Sequence, residues 1–264
     1  MNELYYDGRT LLIYLAVKYQ GDFQKVITAI LSKDIDVSYK EAVKVCESLP
    51  CHVLTYLDYD YPARLKRINQ PPLVLFYYGD ISLLEKKSIA VVGARKVSDY
   101  GKESTKKIIS QIIRGKVVVS GLAKGIDSIA HQAAIDNGGR TIAVLGSGID
   151  YCYPAENKEL YDEIKKNHLL ISEHPFDTVP KPDYFPMRNR IVAGLGDAML
   201  IPQINDFASG TMISINLALS LNKEIFVVPH PFDDGTINNH LLNEGATLIE
   251  SISQLMDDLG WSSK

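Results

Sequence analysis

No apolar run in this 264-residue chain approaches the ~20 residues that cross a bilayer, which excludes a transmembrane helix. The opening Met1-Asn2-Glu3-Leu4-Tyr5-Tyr6-Asp7 lacks the basic and then apolar regions of a secretory signal, so a cytoplasmic location is expected. Cysteine is scarce: Cys46, Cys51 and Cys152 are odd in number and form no C-x-x-C pair, which argues against a disulfide frame or a zinc site. An excess of positive charge is missing too. Lys and Arg number 28 against 32 Asp and Glu, so indiscriminate coating of nucleic acid is unsupported and only a local basic groove is left open. Standard cofactor and hydrolase signatures are absent. No G-x-x-x-x-G-K-[ST] occurs, the spacing after Gly93 is wrong for G-x-G-x-x-G, and Gly146-Ser147-Gly148 meets Tyr151 where a third glycine belongs. NAD and ATP are therefore disfavoured and no cofactor is expected. H-E-x-x-H and G-x-S-x-G are missing as well, which removes the familiar metal-dependent and serine hydrolases. Repeats and low-complexity tracts are lacking.

What is present is a run of strand–turn–helix units. In Val117-Val118-Val119-Ser120-Gly121-Leu122-Ala123-Lys124-Gly125-Ile126-Asp127, three β-branched residues suit a strand buried on both faces. The spacing then turns helical at Ile126, Ile129, Ala130 and Ala133, with Asp127 in the first turn. A buried strand that breaks through glycine into a helix leaves free backbone N–H groups, which suit a phosphate. Further strands are expected at 89–92, 141–145, 169–171, 198–201 and 225–228, with helices over 101–114 and near 157–166. Val53-Leu54-Thr55-Tyr56 and 73–78 precede them as extended segments. The pattern predicts an α/β fold: a Rossmann-like, doubly wound, mostly parallel sheet over residues 51–264. Residues 1–50 read instead as three short helices, a small all-helical domain whose clearest stripe is Phe23, Val26, Ile27, Ile30 and Leu31.

Ligands of such sheets bind beyond the carboxyl ends of the strands. There the chain places Gly93, Arg95, Ser120, Gly121, Lys124, Gly125, Gly146, Gly148 and Glu173, then Ser209-Gly210-Thr211 after the fifth of these strands. Several glycine turns on one rim favour a polyanion or a nucleotide-like ligand. Arg188-Asn189-Arg190 adds two guanidinium forks around an amide, suited to phosphate oxygens and a base edge, although one arginine could pair with Glu173. Tyr151, Tyr153 and Phe185 flank the rim and could stack on bases. Asp127 and His131, four residues apart, are expected to form a structural hydrogen bond. Leu241 and Leu242 point ~100° apart on a short helix, and Leu217, Leu219 and Leu221 crowd another. That surplus predicts a homodimer through Leu219, Leu242 and Leu248.

With these residues in place the chain resembles the DprA/Smf family of bacterial DNA-processing proteins. The likeness rests on Gly93-Ala94-Arg95, the stretch Ser120 to Asp127, Ala130-His131 and Ala143 to Gly148. It continues through Tyr153-Pro154 with Asn157, Phe185-Pro186 with Arg188-Asn189-Arg190, Ser209-Gly210-Thr211, and Asn239-His240 with Gly245-Ala246. Tyr61-Pro62 and 72–76 extend it upstream, so it covers about residue 53 onward. The resemblance implies a non-enzymatic protein that binds single-stranded DNA, protects it and loads the RecA recombinase in natural transformation. It also implies DNA-binding roles for Asn157 and Lys158, a homodimer, and an N-terminal unit similar to a sterile-alpha-motif domain. The sequence departs from the family pattern at three positions: Ala94 for a serine, Ala155 for a DNA-binding lysine and His230 for a glycine. The alternative is a nucleoside-monophosphate phosphoribohydrolase of the same fold superfamily. Those enzymes place a glutamate three residues after the glycine-threonine turn, where this chain has Ser214. A small-nucleotide sensor stays open.

Overall fold

A computed structural model describes residues 7–33, 35–176 and 178–262. Three helices come first: α1 (Gly8–Lys18), α2 (Phe23–Ser32) and α3 (Tyr39–Glu47). Side-chain caps start each one. The Asp7 carboxylate accepts from the N–H groups of Arg9 and Thr10, Asp22 accepts from Lys25, and Ser38 and Glu41 form a reciprocal capping box.

Strands β1 (His52–Thr55) and β2 (Val74–Gly79) follow, with the short helix α4 (Ala63–Lys66) between them. The alternating region then runs β3 (Ser88–Val91), α5 (Asp99–Ile112), β4 (Val117–Ser120), α6 (Ile126–Asp136), β5 (Arg140–Leu145), α7 (Lys158–Asn167) and β6 (Leu169–Ser172). It continues with α8 (Tyr184–Leu195), β7 (Ala198–Ile201), α9 (Gly210–Ser220), β8 (Ile225–Val227), α10 (Asn238–Asn243), β9 (Thr247–Leu248) and α11 (Ile252–Asp258). Among the described residues these strands make one sheet in the order β1-β2-β6-β5-β4-β3-β7-β8-β9. Pairing is parallel from β6 through β9, while β1 and β2 attach antiparallel at one edge. The doubly wound sheet anticipated above is therefore present, with β9 added at the far edge. The order in which the chain lays down its strands reverses between β3 and β7, which is where such folds open a crevice.

Helices cover both faces. On one, α4, α8 and α9 bury Leu65, Ile191, Val192, Ile215 and Ala218 against Val119, Val144 and Met199. On the other, α5 and α6 bury Ile109, Ile112, Ile126 and Ala130 against Ile89, Val118 and Leu200. The N-terminal helices join this second layer, where Leu12, Leu15, Ala16 and Val26 share a cluster with Phe76, Leu145 and Leu170 of the sheet. Residue 50 thus marks a change from helix to strand while the apolar packing continues across it. No helix among the described residues is long and apolar enough to cross a membrane.

Some boundaries differ from the sequence reading, for local reasons. The helix expected over 101–114 starts earlier, because the Ser98 hydroxyl caps the Gly101 N–H. It stops earlier because the chain turns through Gly115 at φ +69°. The segment Phe185 to Arg190, read as a polar cluster ahead of a helix, lies inside α8. That placement fans Arg188, Asn189 and Arg190 about 100° apart around the axis, and their fates diverge accordingly.

Asp127 and His131, expected to bond to each other, bond to other partners instead. The Asp127 carboxylate accepts from the N–H groups of Gly121 and Ala123, at 3.1 and 3.3 Å. His131 Nδ1 lies 2.6 Å from the Thr141 hydroxyl, which itself donates to the Val118 carbonyl, so Nδ1 is the protonated nitrogen. Burial pushes the His131 imidazole down from 6.5 to about 3. Burial also lowers His168 and His174. The unfolded chain therefore takes up these protons first, and folding stability is present above about pH 6.5 and lost as pH falls toward 3. Denaturant midpoints measured across that window should decline steeply. In His131→Asn, which keeps a donor to Thr141 and has no titrating ring, the decline should be shallower.

Candidate nucleic-acid interface

The crevice at the switch point is a cleft of about 760 Å³. Its walls come from the turn after β3 (Gly93 to Lys96), the turn after β7 (Ile204 to Asp206), the start of α9 and the first turns of α8.

Glycine lets the turns interlock. Gly125 sits at φ +83°, and a Cβ there would fall 2.3 Å from the Ala94 carbonyl oxygen, so the turn after β4 rests against the turn that carries Arg95. At Gly121 a Cβ would overlap the Arg188 guanidinium at 2.3–2.4 Å. Arg188, itself 5% exposed, uses that space: Nη1 donates to the Gly121 carbonyl at 2.5 Å and to the Val144 carbonyl, and Nε donates to Asn189 Oδ1 at 3.0 Å. Burial lowers its pKa to about 10, while Asp127 pulls it up and Arg95 pushes it down. A fixed cation thus forms the cleft floor. Burial raises the Asp127 carboxyl beside it.

Above the floor, Arg95 and Lys96 are exposed at the rim, and Arg95 has no carboxylate within salt-bridge distance among the described residues. The opposite wall is the N-terminus of α9, where Ser209 supplies no side-chain cap. Ser209, Gly210 and Thr211 all line the cleft, and the buried Ser209 hydroxyl lacks a hydrogen-bond partner. Uncapped N–H groups beside two arginines suit a phosphate. Tyr153 and Phe185 form the third wall, rings 5.4 Å apart and tilted by 41°, with Tyr153 about half exposed.

The cleft gathers Gly93, Arg95, Arg188, Asn189, Ser209, Gly210 and Thr211 from the sequence reading. Several other anticipated residues face elsewhere. Arg190 is buried in a two-bond ion pair with Glu173 (2.8 and 2.6 Å) and also donates to the Gln70 and Met187 carbonyls, so four of its five N–H donors are engaged inside the fold. Ser120 is buried and donates to the Val91 carbonyl at 2.6 Å. Asn157 staples the turn after β4 by donating to the Leu122 and Ala123 carbonyls. Lys158 pairs with Asp162 one turn along α7, and Lys124 pairs with Glu156 at 2.5 Å, outside the cleft wall. Gly146 makes room for Phe185, and Gly148 for the backbone of Pro175, Phe176 and Thr178. Tyr151 is exposed beyond the cleft.

Sequence reasoning missed Lys96, Asn205 and Asp206, which line the cleft. The signal was their place directly after a strand, masked by attention to the Ser-Gly-Thr turn that follows. A polar strut holds that segment: the Ser98 hydroxyl donates to Gln203 Oε1 at 2.9 Å, Gln203 Nε2 to Asn205 Oδ1 at 2.7 Å, and Asn205 Nδ2 to the Lys96 carbonyl at 2.9 Å.

The model of the DNA recombination-mediator protein A family matches residues 52–260. The chain belongs to this family. Among DprA/Smf proteins, the DNA processing protein DprA of Streptococcus pneumoniae is 42% identical over 197 residues, 74% of this chain and 70% of that protein. The Bacillus subtilis DprA is 42% identical over 205 residues, 75% of this chain and 68% of its own length. In three dimensions the chain is similar to the Streptococcus pneumoniae DprA crystal structure, with a TM-score of 0.80 at 34% identity over 94% of this chain and 93% of that one. It is also similar to the DNA processing protein A of Helicobacter pylori, whose single-stranded DNA binding mode has been described (TM-score 0.73, 32% identity, 80% of this chain and 96% of that chain).

Proposed function

We propose that the protein binds single-stranded DNA in this cleft with little sequence preference, shields it, and hands it to the RecA recombinase in natural transformation. The observation that carries the reading is the meeting of Arg95, the buried Arg188 and the uncapped start of α9 in one crevice edged by Tyr153 and Phe185. The Helicobacter pylori relative's single-stranded DNA binding supports it. Phosphates would sit between the arginines and the helix N-terminus, while bases would stack on the aromatic wall at roughly 1–3 kcal/mol each, whatever their identity. Ser214, at the position where the related hydrolases carry glutamate, donates to the Gly210 carbonyl, so the cleft offers no general base there.

A titration of single-stranded DNA, duplex DNA and AMP at several salt concentrations tests the reading. Single strands should bind best, and their affinity should fall as salt rises. Arg95→Ala should lose roughly 1.5–3 kcal/mol, a factor of about 10 to 150, because a charge-assisted contact disappears. Arg95→Lys should lose part of that, since a point charge does not reproduce the planar fork. Lys124→Ala should matter less, because Glu156 already engages that ammonium. Equal binding of duplex and single strands, or indifference to salt, would remove the proposal.

A homodimer belongs to the same reading. Leu219 is 55% and Leu248 38% exposed, whereas Leu241 is buried. The surplus is narrower than expected, since Leu217, Leu221 and Leu242 rest partly on the core. The N-terminal helices cluster with β2, β5 and β6, far across the sheet from this patch. Two copies joined here would let one long strand engage two clefts and gain avidity without new contacts. Leu219→Glu should turn a sedimenting dimer into a folded monomer that binds long strands more weakly. A parent protein that sediments as a monomer at micromolar concentration would exclude the dimer.

A further inference from the structure

The amino ends of the parallel strands, the pole of the sheet opposite the cleft, gather positive charge of their own. Lys86 and Lys87 lead into β3, Arg114 and Lys116 lead into β4, Arg140 opens β5, and Lys166 stands at the end of α7 just ahead of β6. Strand register sets them side by side. Ser88 pairs with Val117, Val117 with Arg140, and Ile142 with Leu169. With neighbouring strands ~4.8 Å apart, β3 to β6 spread these side chains along a row of about 15 Å. Lys116 is half-buried and the other five are exposed.

Their partners hold them in place without cancelling the charge. Lys87 Nζ donates to the Gly260 carbonyl at 2.9 Å, Arg140 Nη1 to the Asn167 carbonyl at 2.7 Å, and Lys116 lies 5.5 Å from the Trp261 ring centre. Among the described residues none of the six has a carboxylate within salt-bridge distance. Glu163 and Asp136 accept from Asn167 and Gln132 instead, Asp197 ahead of β7 accepts from the Ser88 N–H and pairs with Arg64, and Glu85 borders the row. In a chain of net charge −4, this is a segregated cationic edge. No large exposed apolar side chain accompanies it. A protein partner would need apolar anchors at the centre of its contact, whereas a sugar-phosphate backbone needs only the charges.

We infer that this rim is a second polyanion surface that takes the sugar-phosphate backbone of nucleic acid, either the onward run of a strand held in the cleft or a separate strand. The inference builds on single-stranded DNA binding by the cleft, and the two are read separately. The variant K86Q/R114Q/K166Q removes three exposed charges that have no carboxylate partner among the described residues. Its binding is compared with the parent's across a salt series, using oligothymidylates of about 8 and about 60 nucleotides, the longer able to reach both poles even at the ~3.4 Å per nucleotide of a stacked strand. For the long strand the slope of log affinity against log salt should fall by about 2, at ~0.7 per lost contact, and low-salt affinity should drop about tenfold. The affinity of the first short strand, held in the cleft, should be the same in the variant and the parent. Adding a second labelled short strand to the saturated parent separates the sources: a stoichiometry of two that falls to one in the variant assigns a separate strand, and one throughout assigns the onward run. A long-strand slope that is unchanged in the variant overturns the inference. So does an equal loss on the short strand, which would trace the effect to overall charge. Failure of the parent to bind the short strand counts against the cleft, and the long-strand comparison still reads the rim.

Discussion

Glu173→Ala is expected to destabilise the fold by about 3–5 kcal/mol, the cost of leaving a buried cation without its partner. Both carboxylate oxygens of Glu173 receive Arg190, and each residue is 5% exposed. Removing the carboxylate leaves Arg190 with only the Gln70 and Met187 carbonyls as acceptors. Such a loss is a large fraction of the roughly 5–15 kcal/mol that holds a domain folded. It should appear as a lower denaturant midpoint with an unchanged slope. The paired substitution Glu173→Met with Arg190→Met should recover much of the loss, because no charge is then stranded. The consequences reach the cleft. Arg188 and Asn189 lie within two residues of Arg190 on α8, so loosening that turn should weaken single-stranded DNA binding as well. A Glu173→Ala protein that unfolds within ~0.5 kcal/mol of the parent would show that the pair is not a buried one.

The same pair shows where the sequence could be read and where it could not. Strand and helix types were legible because continuous runs such as Val117 to Val119 and Leu169 to Ile171 are buried on both faces, and 3.6-residue spacing marks α5 and α6. The placing of ligand groups beyond the strand ends followed from topology, and Arg95, Ser209, Gly210 and Thr211 do line one cleft. That one arginine of this cluster could pair with Glu173 was legible, but which one was not. Adjacent residues on a helix diverge by about 100°, so Arg188 and Arg190 look equivalent in sequence while one forms the cleft floor and the other clamps Glu173. Lys124 and Lys158 show another limit: each is surface-exposed, and its carboxylate partner, Glu156 or Asp162, is visible only once a turn or a helix has set the spacing. The glycines carried a different message from the one first taken. At Gly121, Gly125, Gly146 and Gly148 the missing Cβ admits a neighbouring loop or side chain, so these positions shape the cleft from behind.

That last point yields a sharp expectation for Gly125→Ala. At φ +83° and ψ −127° the residue occupies backbone space that an L side chain rarely visits, which costs of order 1–3 kcal/mol. The new methyl would also stand 2.3 Å from the Ala94 carbonyl oxygen and 2.7 Å from that of Arg95, so one turn must move away from the other. The Ile126 N–H donates to the Ala94 carbonyl at 3.1 Å, and that bond should be lost with the displacement. Two effects should therefore appear together: a fall in stability larger than strain alone, and a loss of single-stranded DNA affinity close to that of Arg95→Ala, although every charge is retained. Gly138→Ala supplies the control. Gly138 is also left-handed, at φ +67°, but has open space where a Cβ would go. It should lose about 1 kcal/mol of stability and bind a short oligothymidylate like the parent. A combined Gly125→Ala and Arg95→Ala protein should bind scarcely worse than either single variant, because both act through the same guanidinium. If the two losses add in full, or if Gly125→Ala binds with parental affinity, then the turn after β4 does not position Arg95, and the cleft owes its geometry to something other than the interlocking of these two turns.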